Sequence, residues 1–184
     1  QTELPRRTIM KTRHAWGGAL FLAVGMAATA AEPEDVMAKA SDGWPLVLLS
    51  EPLHLGDQTM KVFAHPKPDA TEVTREFILD TKPIPLRLHI EIWVVGLLPK
   101  GDARVKKGWY QTKLSINGNE VKVLNKLIRG KKETPEVRKI LVVVSNRLVQ
   151  AGRNILHIKA GAQGGNYNDL ELTRIAIHRT KPRL

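Results

Sequence analysis

Hydrophobic and polar residues alternate in several short segments of the chain, and a period of two is typical of β-strands. The clearest case is 86–95 (LRLHIEIWVV), where aliphatic residues take the even positions and His89, Glu91 and Trp93 are among the odd ones. Residues 72–79 (EVTREFIL) are rich in β-branched and apolar side chains bounded by turn residues. The pattern therefore predicts two strands that each place one face in a hydrophobic core.

A β-hairpin is predicted in the middle of the chain. Residues 109–116 (WYQTKLSI) alternate and run into Asn117-Gly118, and a return strand follows at 120–124. Asn and Gly both tolerate positive φ, as the two central residues of a type I′ turn require. The alternation puts the odd positions of the first strand, Trp109 among them, on its polar face.

Three further strands are predicted towards the C-terminus. Residues 140–144 (ILVVV) form a continuous apolar run, which predicts a strand buried on both faces. A turn at 151–154 precedes a strand at 155–160, and a last strand spans 170–178. The apolar residues of that last strand change parity half-way, so a β-bulge near 173–174 is expected to keep all of them inward.

Seven to nine short strands with few helices between them predict an all-β fold, an antiparallel β-sandwich. We expect one domain at 44–184, which opens with the apolar block WPLVLL at 44–49. The Pro-rich stretch that follows predicts an edge strand and a loop. The acidic, Ala-rich lead-in at 31–43 is expected to form a short helix or a mobile segment.

The N-terminal pattern differs from the rest of the chain. A basic stretch that starts at Met10 is followed by an apolar run at 16–28 and by ATA at 28–30, the small-x-small pattern of a signal peptidase site. The run is shorter than the roughly 20 apolar residues of a membrane-spanning helix. We therefore expect an upstream extension and a cleaved signal-peptide helix within 1–30, and a periplasmic or secreted protein that begins near Ala31. Membrane contact is expected only if the segment is retained.

The composition narrows the classes of partner. The chain has 29 Lys and Arg against 18 Asp and Glu, a net charge of +11; residues 1–30 hold four basic residues and one acid, which leaves +8 for residues 31–184. Such a charge favours anionic polysaccharides or an acidic envelope protein, and export argues against nucleic acid. Cysteine is absent, which excludes disulfides, thiolate metal sites and a lipoprotein anchor.

The C-terminal half carries a family resemblance. The segments at 115–118 (SING), 152–158 (GRNILHI) and 166–175 (NYNDLELTRI) resemble three late strands of galactose-binding-like jelly rolls. That superfamily includes many carbohydrate-binding modules and accessory domains of glycosidases. The resemblance spans about 86–178 and implies a jelly-roll sandwich, with Gly152 permitting a turn that Asn154 caps.

Sugar binding requires an exposed aromatic ring flanked by amide or carboxylate groups. Trp93 and Trp109 fit this requirement, because both have polar parity and have Glu91 and Gln111 two residues away. We predict these four as ligand-binding residues. The alternative is that the Pro-rich loop covers this face and that both tryptophans belong to the core.

The metal candidates are few. The loop at 164–169 offers Asn168 and Asp169 as ligand or calcium contacts, although calcium usually takes several carboxylates and Asn168 stands where the resembling family has an Asp. An ordinary Asn/Gly turn is the alternative. His89 and His157 have polar parity and would form a copper or zinc site if their strands pair, whereas solvated histidines are the alternative. We expect no resident cofactor.

Two basic loops flank the predicted hairpin and should meet at one end of the sandwich, because antiparallel pairing brings the ends of a hairpin together. The candidate anion-binding residues are Lys100, Arg104, Lys106, Lys107, Arg129, Lys131 and Lys132. A solvated basic surface that only aids solubility is the alternative.

These patterns predict an exported, non-catalytic binding module that docks an anionic glycan or a protein partner in the cell envelope. The chain has no G-x-S-x-G motif, no cysteine nucleophile and no evident pair of catalytic carboxylates, so no enzyme is expected. Two alternatives remain: an accessory subunit of a larger periplasmic or membrane-associated complex, and a periplasmic metal-binding protein.

Overall fold

The secondary structure is almost entirely β-strand. A computed structural model describes residues 38–39, 43–81, 87–130 and 132–182; the predicted signal peptide, its cleavage site and Lys131 lie outside these ranges. The strands are β1 (Ala38–Lys39), β2 (Leu46–Leu49), β3 (Leu53–Leu55), β4 (Glu72–Leu79), β5 (Leu88–Val95), β6 (Lys113–Ile116), β7 (Asn119–Val123), β8 (Arg138–Val144), β9 (Gly152–Lys159), β10 (Ala162–Gln163), β11 (Asn166–Tyr167) and β12 (Leu170–His178). The helical parts are α1 (Ala103–Lys106) and 3₁₀ turns at Leu124–Leu127 and Asn146–Leu148.

The strands of the described residues form two five-stranded sheets and one small two-stranded sheet, β10-β11. Sheet A has the order β1-β4-β9-β6-β7, and sheet B has the order β2-β12-β5-β8, with β3 also pairing with β12. Every strand pair is antiparallel except β1 with β4, where Ala38 lies opposite Phe77. Ala38 and Lys39, which belong to the predicted lead-in, therefore add a strand to sheet A and do not form a helical turn.

One hydrophobic core draws on both sheets, as in a β-sandwich. All described residues lie within one compact unit, 34–184. Sheet A contributes Phe77 and Leu156, and sheet B contributes Ile92 and Ile177, all of them fully buried. The even positions of β5 face this core, as the alternation predicts. The all-β, antiparallel class is thereby confirmed.

The bulge predicted in β12 is present. The register between β12 and β5 shifts between Leu172 and Arg174, and one extra residue of this kind restores the inward parity. As a result Leu172 and Ile175 are both fully buried although they differ in parity. The same shift sets Arg174 opposite Trp93 on the outer face of sheet B.

The prediction that 140–144 is buried on both faces is wrong. β8 lies at the edge of sheet B and pairs only with β5. Ile140 and Val142 face the core, whereas the side of Val143 is open and that residue is 47% exposed. A continuous apolar run does not reveal whether a second layer covers the outer face of a strand.

The hairpin β6–β7 forms around Asn117 (φ 49°) and Gly118 (φ 80°), as the type I′ prediction requires. Its first strand begins at Lys113 and not at 109, because Tyr110 has a positive φ of 50°. The side chain of Asn117 also reaches the turn before β9, where its Nδ2 donates to Oδ1 of Asn154 over 2.9 Å.

The predicted capping role of Asn154 is confirmed. Its Nδ2 donates to the carbonyl oxygens of Gln150 (2.8 Å) and Gly152 (3.0 Å), and its Oδ1 accepts from the backbone N–H of Gln150 over 2.9 Å. Gly152 has φ 83°, a conformation that favours glycine. Asn154 is fully buried, so this one amide holds together two turns that are distant in sequence.

Replacement of Asn154 tests this role. Asn154→Ala should lower the free energy of unfolding by roughly 2–3 kcal/mol, because it leaves backbone groups of Gln150 and Gly152 without their side-chain partner and removes one of the hydrogen bonds of the Asn117 amide. Urea unfolding monitored by tryptophan fluorescence measures the loss. Asn119→Ala is the matched control, since Asn119 is exposed and makes one bond to the Asn117 carbonyl. Equal losses in the two variants would contradict the assignment.

Candidate functional site

Four loops enclose a polar pocket of about 250 Å³ at one end of the sandwich. The loops follow β3, follow β5, precede β8 and precede β12. We call this concavity the loop-end pocket. Its walls are formed by Gln58, Met60, Arg104, Tyr110, Glu133, Asn166, Tyr167, Asn168 and Asp169.

The register of sheet B explains why these loops meet. Val95, at the end of β5, lies opposite Glu171 at the start of β12. Arg138, at the start of β8, pairs with Val94. Leu55, at the end of β3, pairs with Leu170. Antiparallel pairing thus gathers two strand ends and two strand beginnings at one place.

Asp169 fixes the loop after β3. Its Oδ1 accepts from the backbone N–H groups of Asp57 (3.1 Å) and Gln58 (2.9 Å) and lies 3.1 Å from Nε2 of the fully buried His54. A Cβ atom at Gly56 would collide with this carboxylate. The Asp169 side chain, predicted as a ligand contact, is only 9% exposed. Its hydrogen bonds connect the loop before β12 to the loop after β3.

The loop at 164–169 forms an ordinary hairpin. β10 and β11 pair around Gly164 (φ 61°) and Gly165 (φ 84°), the positive φ values of a two-residue turn. Asn168 is buried, and its backbone N–H donates to the carbonyl of Gly161 over 2.8 Å. Asn168 is therefore part of the wall that supports the hairpin.

Arg104 is held in place by Asp102. The guanidinium donates through Nε (3.1 Å) and one terminal nitrogen (3.0 Å) to the two carboxylate oxygens. Arg104 lowers the pKa of Asp102, and Asp102 raises the pKa of Arg104. Half of the Arg104 side chain stays exposed. Since a guanidinium has five N–H donors, it can still bond a ligand from a fixed position.

Tyr110 has an uncommon backbone conformation. A φ of 50° in a bulky residue costs about 1–3 kcal/mol and persists only where the surroundings hold it. The backbone of Gly161 packs so closely on residues 110–111 that a Cβ atom there would collide with them. The Tyr110 hydroxyl donates to Oδ1 of Asn166 at 3.4 Å, and Arg104 lies 5.7 Å from the ring centroid.

Glu133 supplies a carboxyl group from the loop before β8. Partial burial in the pocket raises the pKa of Glu133 above the ordinary glutamate value, although part of the residue stays exposed, and Arg104 opposes this increase. The negative charges of Asp102 and Asp169 raise the pKa further. The pocket wall therefore carries a carboxyl that gains a proton more readily than a solvated one.

The two tryptophans predicted to bind a ligand, Trp93 and Trp109, lie in different parts of the fold. Trp109 is 36% exposed on the loop before β6, with Nζ of Lys107 5.0 Å from its ring centroid. Trp93 lies on the outer face of sheet B, where its Nε1 donates to Oε1 of Glu91 (2.6 Å) and Nζ of Lys139 lies 4.3 Å from the ring. Among the described residues no ring contact joins the two tryptophans.

Gln111, the partner predicted for Trp109, lines a neighbouring concavity and not the loop-end pocket. Its Nε2 donates to the carbonyl of Val105 at 3.4 Å. Of the predicted ligand and anion contacts, the structure thus brings Arg104, Asn168 and Asp169 together in one pocket.

His89 and His157 were expected to form a metal site if their strands pair, and in this fold the two strands do not pair. β5 pairs with β8 and β12, whereas β9 pairs with β4 and β6, so the two histidines belong to different sheets. Burial lowers the pKa of His89, and nearby cations, including Lys181, lower it further. Nε2 of His157 lies 3.4 Å from Glu72. No three His, Asp or Glu side chains of the described ranges form a group suited to a metal ion.

The two basic loops are neighbours, because the backbone N–H of Lys100 donates to the carbonyl of Ile128 over 3.1 Å. Most of the predicted anion-binding side chains are exposed here: Lys100, Arg104, Lys106, Lys107, Arg129 and Lys132.

Six residues of the pocket were not predicted from the sequence. They are Gln58, Met60, Tyr110, Glu133, Asn166 and Tyr167. The Gly-Gly-Asn-Tyr run at 164–167 is a turn signal that marks two of them, but the others become neighbours only through strand order.

Comparison with protein families gives no match for this chain, and comparison with curated proteins gives none either. In the portion of the chain that the structure describes, no helix has the length and apolar character to cross a bilayer. The chemistry of the loop-end pocket is therefore the basis for a functional proposal.

The raised pKa of Glu133 predicts a pH-dependent stability. The folded protein binds the Glu133 proton more tightly than the unfolded chain, so the stability contribution of this group is lost as pH rises through the raised value. The side chain of Glu133→Gln is neutral at every pH and therefore does not lose stability by ionising. The melting temperature of this variant minus that of the wild type should therefore increase from pH 4 to pH 7.

Thermal unfolding followed by circular dichroism at several pH values measures the difference. Glu136→Gln is the matched control, because Glu136 is in the same loop but its side chain is 75% exposed. A difference between Glu133→Gln and wild type that stays constant across the pH range would contradict the prediction.

Proposed function

We propose that this chain is an exported, non-catalytic binding module of the galactose-binding-like jelly-roll type, and that its loop-end pocket holds one sugar unit of an anionic envelope glycan. The observation that carries the proposal is the convergence of two tyrosines, three amides, a guanidinium and two carboxyl groups around about 250 Å³. Saccharide sites combine ring surfaces with a few fixed hydrogen-bonding groups in this way.

The pocket residues divide into two chemical roles. Tyr110 and Tyr167 offer ring surface for the C–H groups of a sugar. Gln58 and Asn166 offer amides that both donate and accept, which suits the hydroxyl groups of a sugar. Arg104 adds charged donors at a position fixed by Asp102. Hydroxyl-rich ligands are therefore better matched to this lining than apolar ones.

The rigidity of the pocket favours binding. The loop carrying Gln58 is fixed by Asp169, and the strained backbone of Tyr110 is held by its packing on Gly161. A site that is ordered before the ligand arrives loses less conformational entropy on binding. A sugar buries little apolar surface on binding, so a low entropic cost is important for its affinity.

The basic loops beside the pocket favour an anionic polymer. Lys106 and Lys107 follow Arg104 at the end of α1, and Lys100 and Lys132 are exposed on the two adjacent loops. Like charges on one surface raise the local concentration of a polyanion and its association rate. The glycan would thus be attracted by these lysines and recognised in the pocket.

A second candidate, an accessory subunit of an envelope complex, is favoured by the outer face of sheet B. Val143 is 47% exposed and Val47 is 39% exposed on the two edge strands of that face, which also carries Trp93. For a subunit, purification from native envelopes should recover partners in a constant ratio. A monomer in native gels would count against this candidate.

Glycan retention tests the first proposal. The folded protein should be retained on an array of acidic envelope polysaccharides, and Asn166→Ala should weaken the best interaction by about tenfold, because one hydrogen-bonding group of the pocket wall is lost. Isothermal titration calorimetry gives the affinities, with Asn119→Ala as an exposed Asn control outside the pocket.

Retention of wild type on no glycan would refute the sugar component of the proposal. Equal affinities for wild type and Asn166→Ala would show that binding occurs away from the loop-end pocket.

A further inference from the structure

Two lysines face each other directly on the outer side of sheet A. The register of β6 with β9 sets Lys113 opposite Lys159. Like charges in directly opposed positions destabilise a sheet. Both side chains are about half exposed, 52% for Lys113 and 54% for Lys159. The fold thus keeps two lysines at adjacent, accessible positions on neighbouring strands.

Each ammonium group has a carboxylate on its far side. Nζ of Lys113 lies 2.9 Å from Glu120, and Nζ of Lys159 lies 3.2 Å from Glu72. Lys159 lowers the pKa of Glu72, so this pair stays ionised. Exposed pairs of this kind contribute little to stability, and an ammonium has three N–H donors. One carboxylate partner therefore leaves donors for a second anion between the lysines.

The two lysines line a concavity of about 410 Å³, which we call the lysine pocket. Its floor consists of small residues, with Gly108 on one side and residues 160–162 on the other. The floor is fixed, because the backbone at Gly161 packs against residues 110–111 without room for a side chain. Gln111 adds an amide to the wall.

Tyr167 lines both the lysine pocket and the loop-end pocket. The two concavities are therefore adjacent, with one ring as their common wall. A ligand that fills both must extend over at least two units, with a hydroxyl-rich unit in the loop-end pocket and an anionic group between Lys113 and Lys159.

We propose that the lysine pocket is a second subsite that binds the anionic group of an acidic sugar unit, next to the unit held in the loop-end pocket. This inference rests on the proposed function and specifies its ligand as an internal stretch of an acidic polysaccharide. Neither lysine belongs to the basic loops, so the subsite is distinct from the surface that attracts the polymer.

The test compares charged and neutralised forms of the same oligosaccharide. Wild type is titrated calorimetrically with tetragalacturonate, with its methyl ester and with a chondroitin sulfate tetrasaccharide, so that carboxylate and sulfate are separate arms. We expect wild type to bind at least one acidic probe about tenfold more tightly than the ester. The variant Lys113→Gln/Lys159→Gln should lose that preference and keep its affinity for the ester.

The control variant Lys122→Gln/Lys181→Gln removes the same charge from exposed positions outside the lysine pocket, and it should keep the preference. Thermal unfolding of both double variants checks that they are folded. If Asn166→Ala weakens all probes while Lys113→Gln/Lys159→Gln weakens none, the lysine subsite is refuted and the loop-end pocket stands. If wild type binds none of the probes, the proposed function and this inference both fail for these glycans.

Discussion

The carboxylate of Asp169 is the contact through which the core determines the pocket. The next residue, Leu170, is fully buried at the start of β12, so the position of Asp169 is set by the packing of the central strand of sheet B. Oδ1 of Asp169 accepts hydrogen bonds from two backbone N–H groups of the loop after β3 and lies beside the buried ring of His54. A rigid sheet thus fixes a loop that has no regular structure of its own, and this loop contributes Gln58 and Met60 to the pocket wall.

Local features of the fold were predictable because their cause lies in neighbouring residues. Asn117-Gly118 specifies a type I′ turn without reference to the rest of the chain, and the change of parity in β12 requires a bulge wherever that strand is placed. The exposure of Val143 was not predictable in this way. It depends on β8 being the edge strand of sheet B, which the apolar run at 140–144 does not encode.

The site was only partly predictable for a related reason. Gln58, Arg104, Glu133 and Asn166 come from four separate loops, and strand order alone makes them neighbours. The polar parity of Trp93 was read correctly, since the residue lies on the outer face of its sheet. Its surroundings were not foreseeable, because Lys139 stacks on the ring from β8 and Glu91 accepts its N–H.

Charge serves two separate purposes in this molecule. A net charge of +8 over residues 31–184 acts over roughly a Debye length, about 8 Å at physiological salt, and it attracts polyanions without distinguishing among them. Within the two pockets most charges instead have a partner: Asp102 beside Arg104, Glu120 beside Lys113 and Glu72 beside Lys159. Partnered charges add little long-range attraction, but their positions are fixed. In the proposed glycan-binding function, discrimination between glycans therefore depends on the geometry of these pairs, and the exposed lysines of the basic loops govern how fast a polyanion arrives.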